Sequence, residues 1–223
     1  MEERGRNTGA PTRRRFLAGA AASVAAGLAG CSGLVTGQDD GDLATTADAS
    51  LSTPTLGADD APVTVGVYKD FACPACAQFN EQITPLIERD YVEEGVVRYE
   101  HYDFPLDMHD PESYTAANAA RAVQDLAGDD AFFAFADALF ANQSDQSPGT
   151  YAELAGDVDV EGDRVRSAAE GRTYRHVVSA DKDRGLDEGV RGTPTVVVDG
   201  SIVDELSWEG IRSDIEAARP DGG

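Results

Sequence analysis

Phe71-Ala72-Cys73-Pro74-Ala75-Cys76 carries the reading of this 223-residue chain. Directly before it, Pro62-Val63-Thr64-Val65-Gly66-Val67-Tyr68 is apolar and rich in β-branched residues, as a buried strand is. Directly after it, Phe79, Ile83, Leu86 and Ile87 recur at helical spacing. The two cysteines therefore fall at a strand-to-helix junction. Side chains three apart on a helix are neighbours, so Cys73 and Cys76 can meet the short distance a disulfide requires. Cys73 then lies at the helix N-terminus, where unpaired N–H groups and the helix dipole favour a thiolate, the attacking species in disulfide exchange. Pro74 suits the first helical position, where a missing N–H costs nothing. Half a zinc site and an inert structural disulfide are the competing readings. A closed zinc site needs about four ligands, and the chain has no second cysteine pair and no ligand-like spacing among His101, His109 and His176.

Working outward, the strand spans about Val63–Tyr68 and the helix after Cys73 runs to about Arg89, with a kink expected at Pro85. Gly95 punctuates, and Val96–Tyr102 alternates like a second strand, parallel to the first in a βαβ unit. A helical region follows. Asp110 is expected to cap a helix with Pro111 in its first position, running from about Glu112 to Ala127 and stopping at Gly128. Asp129 or Asp130 caps the next, which carries an apolar stripe of Phe132, Phe135, Ala136, Leu139 and Phe140, with Phe133 off the stripe. Shorter helices are expected near Thr150–Ala155 and Glu161–Glu170, then a longer one over about Thr173–Glu188. Thr193-Pro194 precedes a β-branched run, Asp199-Gly200 marks a hairpin turn, and a helix over about Trp208–Ala218 closes the chain.

The formal net charge is −23 and the sequence pI about 4.2. A chain starting at Cys31 has 13 basic and 39 acidic residues, a net −26, with only Lys69 and Lys182 as lysines. Such a surface disfavours nucleic acid and anionic lipid as partners. An acidic excess spread along the whole chain reads as adaptation to very high salt, where self-repulsion is screened. Residues 1–30 read as a targeting segment: Arg13-Arg14-Arg15-Phe16-Leu17 before the small apolar run Ala18–Ala29 resembles a twin-arginine export signal. The run is short and weakly hydrophobic for a membrane span, which needs about 20 apolar residues. Leu28-Ala29-Gly30-Cys31 resembles a lipobox, in which the signal is cut before the cysteine and that cysteine is lipidated. Residues 31–57, rich in Ser, Thr, Gly, Ala and Asp, then read as a flexible acidic tether, with the folded domain over 58–223.

Three motifs in this order, the first and last more than a hundred residues apart, carry a resemblance. Asp70-Phe71-Ala72-Cys73-Pro74-Ala75-Cys76, Phe104-Pro105-Leu106 followed by His109, and Gly189-Val190-Arg191-Gly192-Thr193-Pro194-Thr195 resemble the DsbA-like thiol–disulfide oxidoreductases of the thioredoxin superfamily. The resemblance covers roughly Asp60 to Ala218. It implies an α/β thioredoxin fold, a central mixed sheet flanked by helices, with a helical insertion at about 105–171. It also implies that Cys73 is the nucleophile, that Cys76 resolves the mixed disulfide, and that Pro194 is a cis-proline facing them with Thr193 beside it. Asp70 is expected at the strand end with a solvated or capping carboxylate; pointing inward, it would tune or relay the Cys76 proton. His109 is expected to be structural. One departure stands out: strongly oxidising members of the family carry a histidine where this chain has Ala75. A milder potential follows unless a nearby cation compensates, and Lys69 is the candidate.

The function expected is exchange of disulfides with exported proteins at the outer face of the cell membrane, without a bound cofactor. The redox partner would be a membrane quinone-linked oxidoreductase for an oxidase, or a membrane reductant for a reductase or isomerase. The reading from another class is a lipoprotein that grips peptides or a partner through the same fold, its cysteines idle.

Overall fold

The computed structural model describes residues 51–220. The export motif, the lipobox with Cys31 and most of the acidic tether lie outside these residues. A five-stranded mixed sheet has the order β1-β3-β2-β4-β5: β1 (Thr55–Leu56), β2 (Val63–Lys69), β3 (Val97–Asp103), β4 (Thr195–Val198) and β5 (Ser201–Ile202). β2 and β3 run parallel, as a strand–helix–strand crossover requires, with Val63 beside Val97 and Lys69 beside Asp103; β1 pairs antiparallel with β3, and β4 with β2. Thr55–Leu56 is thus sheet rather than tether, and the fold begins before the boundary at residue 58. Its anchor is long-range: the Thr55 N–H donates to Asp129 Oδ2 at 2.9 Å.

The helix after the cysteines is broken where proline demands it. α1 (Pro74–Gln82) ends at Ile83, α2 (Thr84–Ile87) holds Pro85 in its first turn, and a π-helical turn (Glu88–Val92) completes the segment. The insertion comprises α3 (Glu112–Ala127), α4 (Asp129–Ala141), α5 (Pro148–Asp157) and α6 (Gly162–Gly171). α3 buries alanines 116, 117, 119, 120 and 122, small side chains that let it approach its neighbours closely. Phe132, Phe135, Leu139 and Phe140 fill the insertion core, which also takes in Phe71, Cys73 and Cys76. Phe133 joins that core to the sheet, edge-on to Phe132 at 5.3 Å and to Tyr99 at 6.0 Å between ring centroids. α7 (Arg175–Glu188) and α8 (Trp208–Ala218) complete the structure. Ile211 and Ile215 of α8 pack with Phe79 of α1 against Val63, Val65 and Val67. The other side of β2 presents Tyr68, which packs with Tyr102, Phe104 and Val197.

Two expected helix caps are corrected. Asp110 does not cap α3: its carboxylate takes a bond from Arg172 Nη2 at 2.6 Å, and Pro111, joined to it by a cis peptide, holds the cap position. Nor does Asp129 cap α4, whose cap position is Gly128. The Asp129 carboxylate is instead occupied by Thr55 and by Gln124 Nε2. In both cases a partner distant in sequence outcompetes the local N–H groups. Asp199-Gly200 forms the β4–β5 turn with both residues at positive φ (43° and 81°), and Asp199 Oδ1 accepts the Thr64 N–H at 2.8 Å.

Candidate active site

β2 delivers the chain to the site and α1 carries the thiols. Cys73 is the cap residue of α1, with extended backbone (φ −81°, ψ 120°) and no capping side-chain hydrogen bond. Its sulfur therefore lies at the positive end of the helix dipole. Pro74 occupies the first turn, and Cys76 follows one turn deeper, with no exposed surface. Both residues are unbonded thiols in this structure. Cys73 is 6% exposed, so its sulfur is sheltered but reachable.

Across from α1, the Thr193–Pro194 peptide is cis, and the Cys73 sulfur lies 3.6 Å from the Thr193 carbonyl, to which it donates when protonated. The Thr193 hydroxyl is buried and favours the thiolate form of both sulfurs. The two cysteines are pushed apart. A hydrogen bond from the Cys76 thiol, chiefly, brings Cys73 down to about 5; burial opposes this, and Thr193 with the N–H groups of Cys76 and Ala75 supports it. Burial, chiefly, raises Cys76 far above the ordinary thiol range, and its bond to Cys73 adds to the rise. One thiol is thus ionised at neutral pH while the other keeps its proton, which is the division of labour that nucleophile and resolving thiol need.

Asp70 is not solvated. Its side chain is fully buried, and the carboxylate accepts from Ala72 N (2.9 Å), Leu106 N (3.2 Å), His109 Nδ1 (3.0 Å) and Ser113 Oγ (2.9 Å). It caps the turn into the active site and ties that turn to the segment leading into α3. What reaches Cys76 is the Asp70 main-chain N–H, 3.4 Å from the sulfur. Lys69 is also displaced from its expected role. It is buried behind α1, hydrogen-bonded to Asn80 Oδ1 (2.8 Å) and Thr84 Oγ1 (3.4 Å), and is not among the groups that lower Cys73. The groups that favour the Cys73 thiolate are the second thiol, Thr193 and the helix N–H groups of Cys76 and Ala75.

Gln143, beyond the end of α4, was not legible in the sequence. Its Nε2 donates to the Phe71 carbonyl at 2.7 Å and the Cys73 carbonyl at 2.9 Å, clamping the active-site turn to the insertion. No local pattern marks a glutamine in a polar turn seventy residues away. Gln143→Leu removes both bonds. An expected loss of about 1–3 kcal/mol would be read by denaturant unfolding of the reduced protein. A change below about 0.5 kcal/mol would mean that water replaces the amide without cost. A second missed group lies beneath the turn: His101 stacks on Phe71 at 5.3 Å and shares Asp103 with the buried Arg121.

Fold and paired thiols together define a thiol–disulfide oxidoreductase of the DsbA-like kind. The chain belongs to the thioredoxin family: the family profile described as "Thioredoxin" matches residues 49–217. Among characterised proteins it is similar to disulfide bond formation protein D of Bacillus subtilis, 29% identical over 170 residues that span 73% of this chain and 75% of that protein. It is also similar to the probable disulfide bond formation protein D of Bacillus cereus, 31% identical, spanning 66% of this chain and 70% of that one. The crystal structure of oxidised BdbD from Bacillus subtilis superposes with a TM-score of 0.70 at 29% identity, covering 74% of this chain and 92% of that one. Chlamydia trachomatis DsbA superposes at 0.67 with 19% identity, covering 78% and 93%, a likeness of fold alone.

Proposed function

We propose that this protein makes disulfides in exported proteins at the outer face of the cell membrane, with Cys73 as nucleophile and Cys76 as resolving thiol. The observation that carries this is the position of Cys73 at the open N-terminus of α1 beside the fully buried Cys76, an arrangement that brings Cys73 down to about 5 and keeps Cys76 protonated. A dithiol whose reduced form is stabilised in this way gives up its disulfide readily, which is the behaviour of an oxidant. That favours oxidase over reductase or isomerase, and an active pair over an idle one in a peptide-binding module. Thr193 and Pro194 lay the turn before β4 alongside Cys73, where an extended substrate can pair with it. Asp70 tunes Cys76 through its main-chain N–H while its carboxylate holds the turn. Similarity to proteins named for disulfide bond formation supports the same direction. In this reading Arg13-Arg14-Arg15 is the export motif and Cys31 the lipidated residue, and these with the acidic composition support a domain tethered outside the cell in high salt. Reoxidation then falls to a membrane quinone-linked oxidoreductase.

The pH dependence of Cys73 alkylation tests the reading. For the reduced protein in molar salt, the rate should rise with a midpoint near 5 and be flat from about 6.5 upward, because the thiolate is complete there. Acid below the midpoint should protonate Cys73 and suppress the reaction. A midpoint near the ~8.5 of a free thiol would leave the pair without a nucleophile and sink the proposal. The redox potential then fixes direction, near roughly −120 mV for an oxidase and roughly −270 mV for a donor of electrons.

A further inference from the structure

Lys69 is a charged residue in an apolar place. Strand alternation puts it on the face of β2 that carries Val63, Val65 and Val67, against α1. Only 3% of the residue is exposed, and its ammonium lies 5.7 Å from the Phe79 ring centroid and 5.4 Å from those of Tyr99 and Phe140. Both hydrogen-bond partners, Asn80 and Thr84, are neutral, so one of its three N–H groups has no acceptor among the described residues. Burying a lysine without an ion-pair partner costs several kcal/mol as an order of magnitude, and fully buried lysines are rare unless paired. A group retained at that cost calls for an anion that exists only part of the time.

Cys76 supplies it. Asn80, which holds the ammonium, is one turn along α1 from Cys76, and the main-chain N–H of Asp70, the next residue after Lys69, faces the Cys76 sulfur. The ionisable groups around Lys69 are Cys76 from α1, Glu88 from the π-helical turn, Asp137 from α4, and Tyr99 and His101 from β3. Burial lowers Lys69 to about 8, and of the charges that oppose this Cys76 acts most strongly, ahead of Asp137 and Glu88. The lysine therefore remains mostly an ammonium at neutral pH. A cleft of about 510 Å³ is lined by Asn80 and Thr84, which hold the ammonium, and by Glu88 and Asp137.

We propose that Lys69 is the counter-charge of the resolving step, its ammonium stabilising the thiolate that Cys76 becomes when it attacks the mixed disulfide at Cys73. During reoxidation the mixed disulfide joins Cys73 to the membrane oxidoreductase. Cys76 loses its thiol proton, its sulfur bonds to the Cys73 sulfur, and the bond from Cys73 to the partner breaks. The partner sulfur leaves with the electron pair and takes up one proton, the partner's disulfide being the oxidant. During substrate oxidation the same step runs backwards: a substrate thiolate attacks the Cys73 sulfur, and Cys76 leaves as the thiolate that Lys69 stabilises. Lys69 acts through Cys76 and is a positioning residue. The inference rests on the thiol-exchange reading above.

Reaction of the reduced protein with excess dithionitrobenzoate separates the two steps. Attack by Cys73 releases the first coloured thiolate at a rate proportional to reagent, and attack by Cys76 releases the second at a rate independent of it. Lys69→Met should leave the first phase within about twofold, slow the second more than about tenfold at pH 7, and move its pH profile upward. Asn80→Asp, at a half-exposed position, puts a carboxylate against the ammonium and should slow the second phase several-fold even if Lys69→Met does not fold. An unchanged second phase in either folded variant, or equal slowing of both phases, would make Lys69 structural and overturn the proposal. Absence of a first phase in the unaltered protein would instead overturn the exchange reading itself.

Discussion

Cys73→Ser is expected to reduce disulfide exchange to the uncatalysed rate, and Cys76→Ser to convert the protein into a trap. With Cys73 at about 5, almost all of the wild-type nucleophile is thiolate at pH 7, against a few per cent of an ordinary thiol. A serine hydroxyl at the same place stays protonated, and the thiol that remains among the described residues, Cys76, is buried and keeps its proton. Cys76→Ser leaves the attacking sulfur in place and removes the intramolecular thiol that frees Cys73 from a mixed disulfide. Effective molarities of well-placed groups exceed those of dilute external thiols by far more than about a thousandfold, so mixed disulfides at Cys73 should persist. Non-reducing gels of the exported proteome would show them as thiol-sensitive adducts. Removing the Cys76 thiol also removes the strongest hydrogen bond to the Cys73 sulfur, so the Cys73 alkylation midpoint should move upward from about 5. Full turnover by Cys73→Ser, or failure of Cys76→Ser to accumulate adducts, would show that the roles are misassigned.

Arg121→Leu is expected to be the most destabilising single change away from the thiols. Arg121 is fully buried on α3 and donates to Asp103 Oδ2 at 2.6 Å, Gln124 Oε1 at 3.0 Å and Asp181 Oδ2 at 2.5 Å. Burial raises Asp181 to about 7 in spite of the arginine. Burial likewise works against an ionised Asp103, but there Arg121 and His101 prevail and hold it below the ordinary value. His101 is kept neutral by burial, lowered to about 4 against the pull of Asp103. Because the Asp103 carboxylate only accepts, the imidazole Nε2 must donate to it across 3.2 Å. Leucine fills part of the volume and leaves two acids buried without a cation. Breaking such a pair costs about 3–5 kcal/mol, a fall in Tm of roughly 10 °C for a domain of this size. Calorimetry in molar salt reads the effect, and a drop of under about 2 °C would mean that Asp103 and Asp181 simply take up protons. His101 stacks on Phe71, so this cluster also supports the active-site turn from below.

What could be read from sequence was whatever depends on short range. The apolar, β-branched run before Cys73, the helical spacing after it and the Asp199-Gly200 turn are local patterns, and each lies where it was expected. The Cys-Pro-Ala-Cys spacing at a strand–helix junction likewise determined the chemistry, because helix geometry alone brings those thiols together. Tertiary structure decided which polar groups serve the site. Asp110 and Asp129 left their expected caps because Arg172 and Thr55, distant in the chain, offered better partners. Asp70 closed its carboxylate on residues 72, 106, 109 and 113, and Gln143 reached the turn from across the insertion. Lys69 left a trace that sequence could have shown, a cation on the apolar face of β2, but only packing against α1 and α4 reveals what surrounds it. A hydrogen bond or buried charge takes its energy from groups that packing brings within about 3 Å, and no periodicity records which distant residue that is.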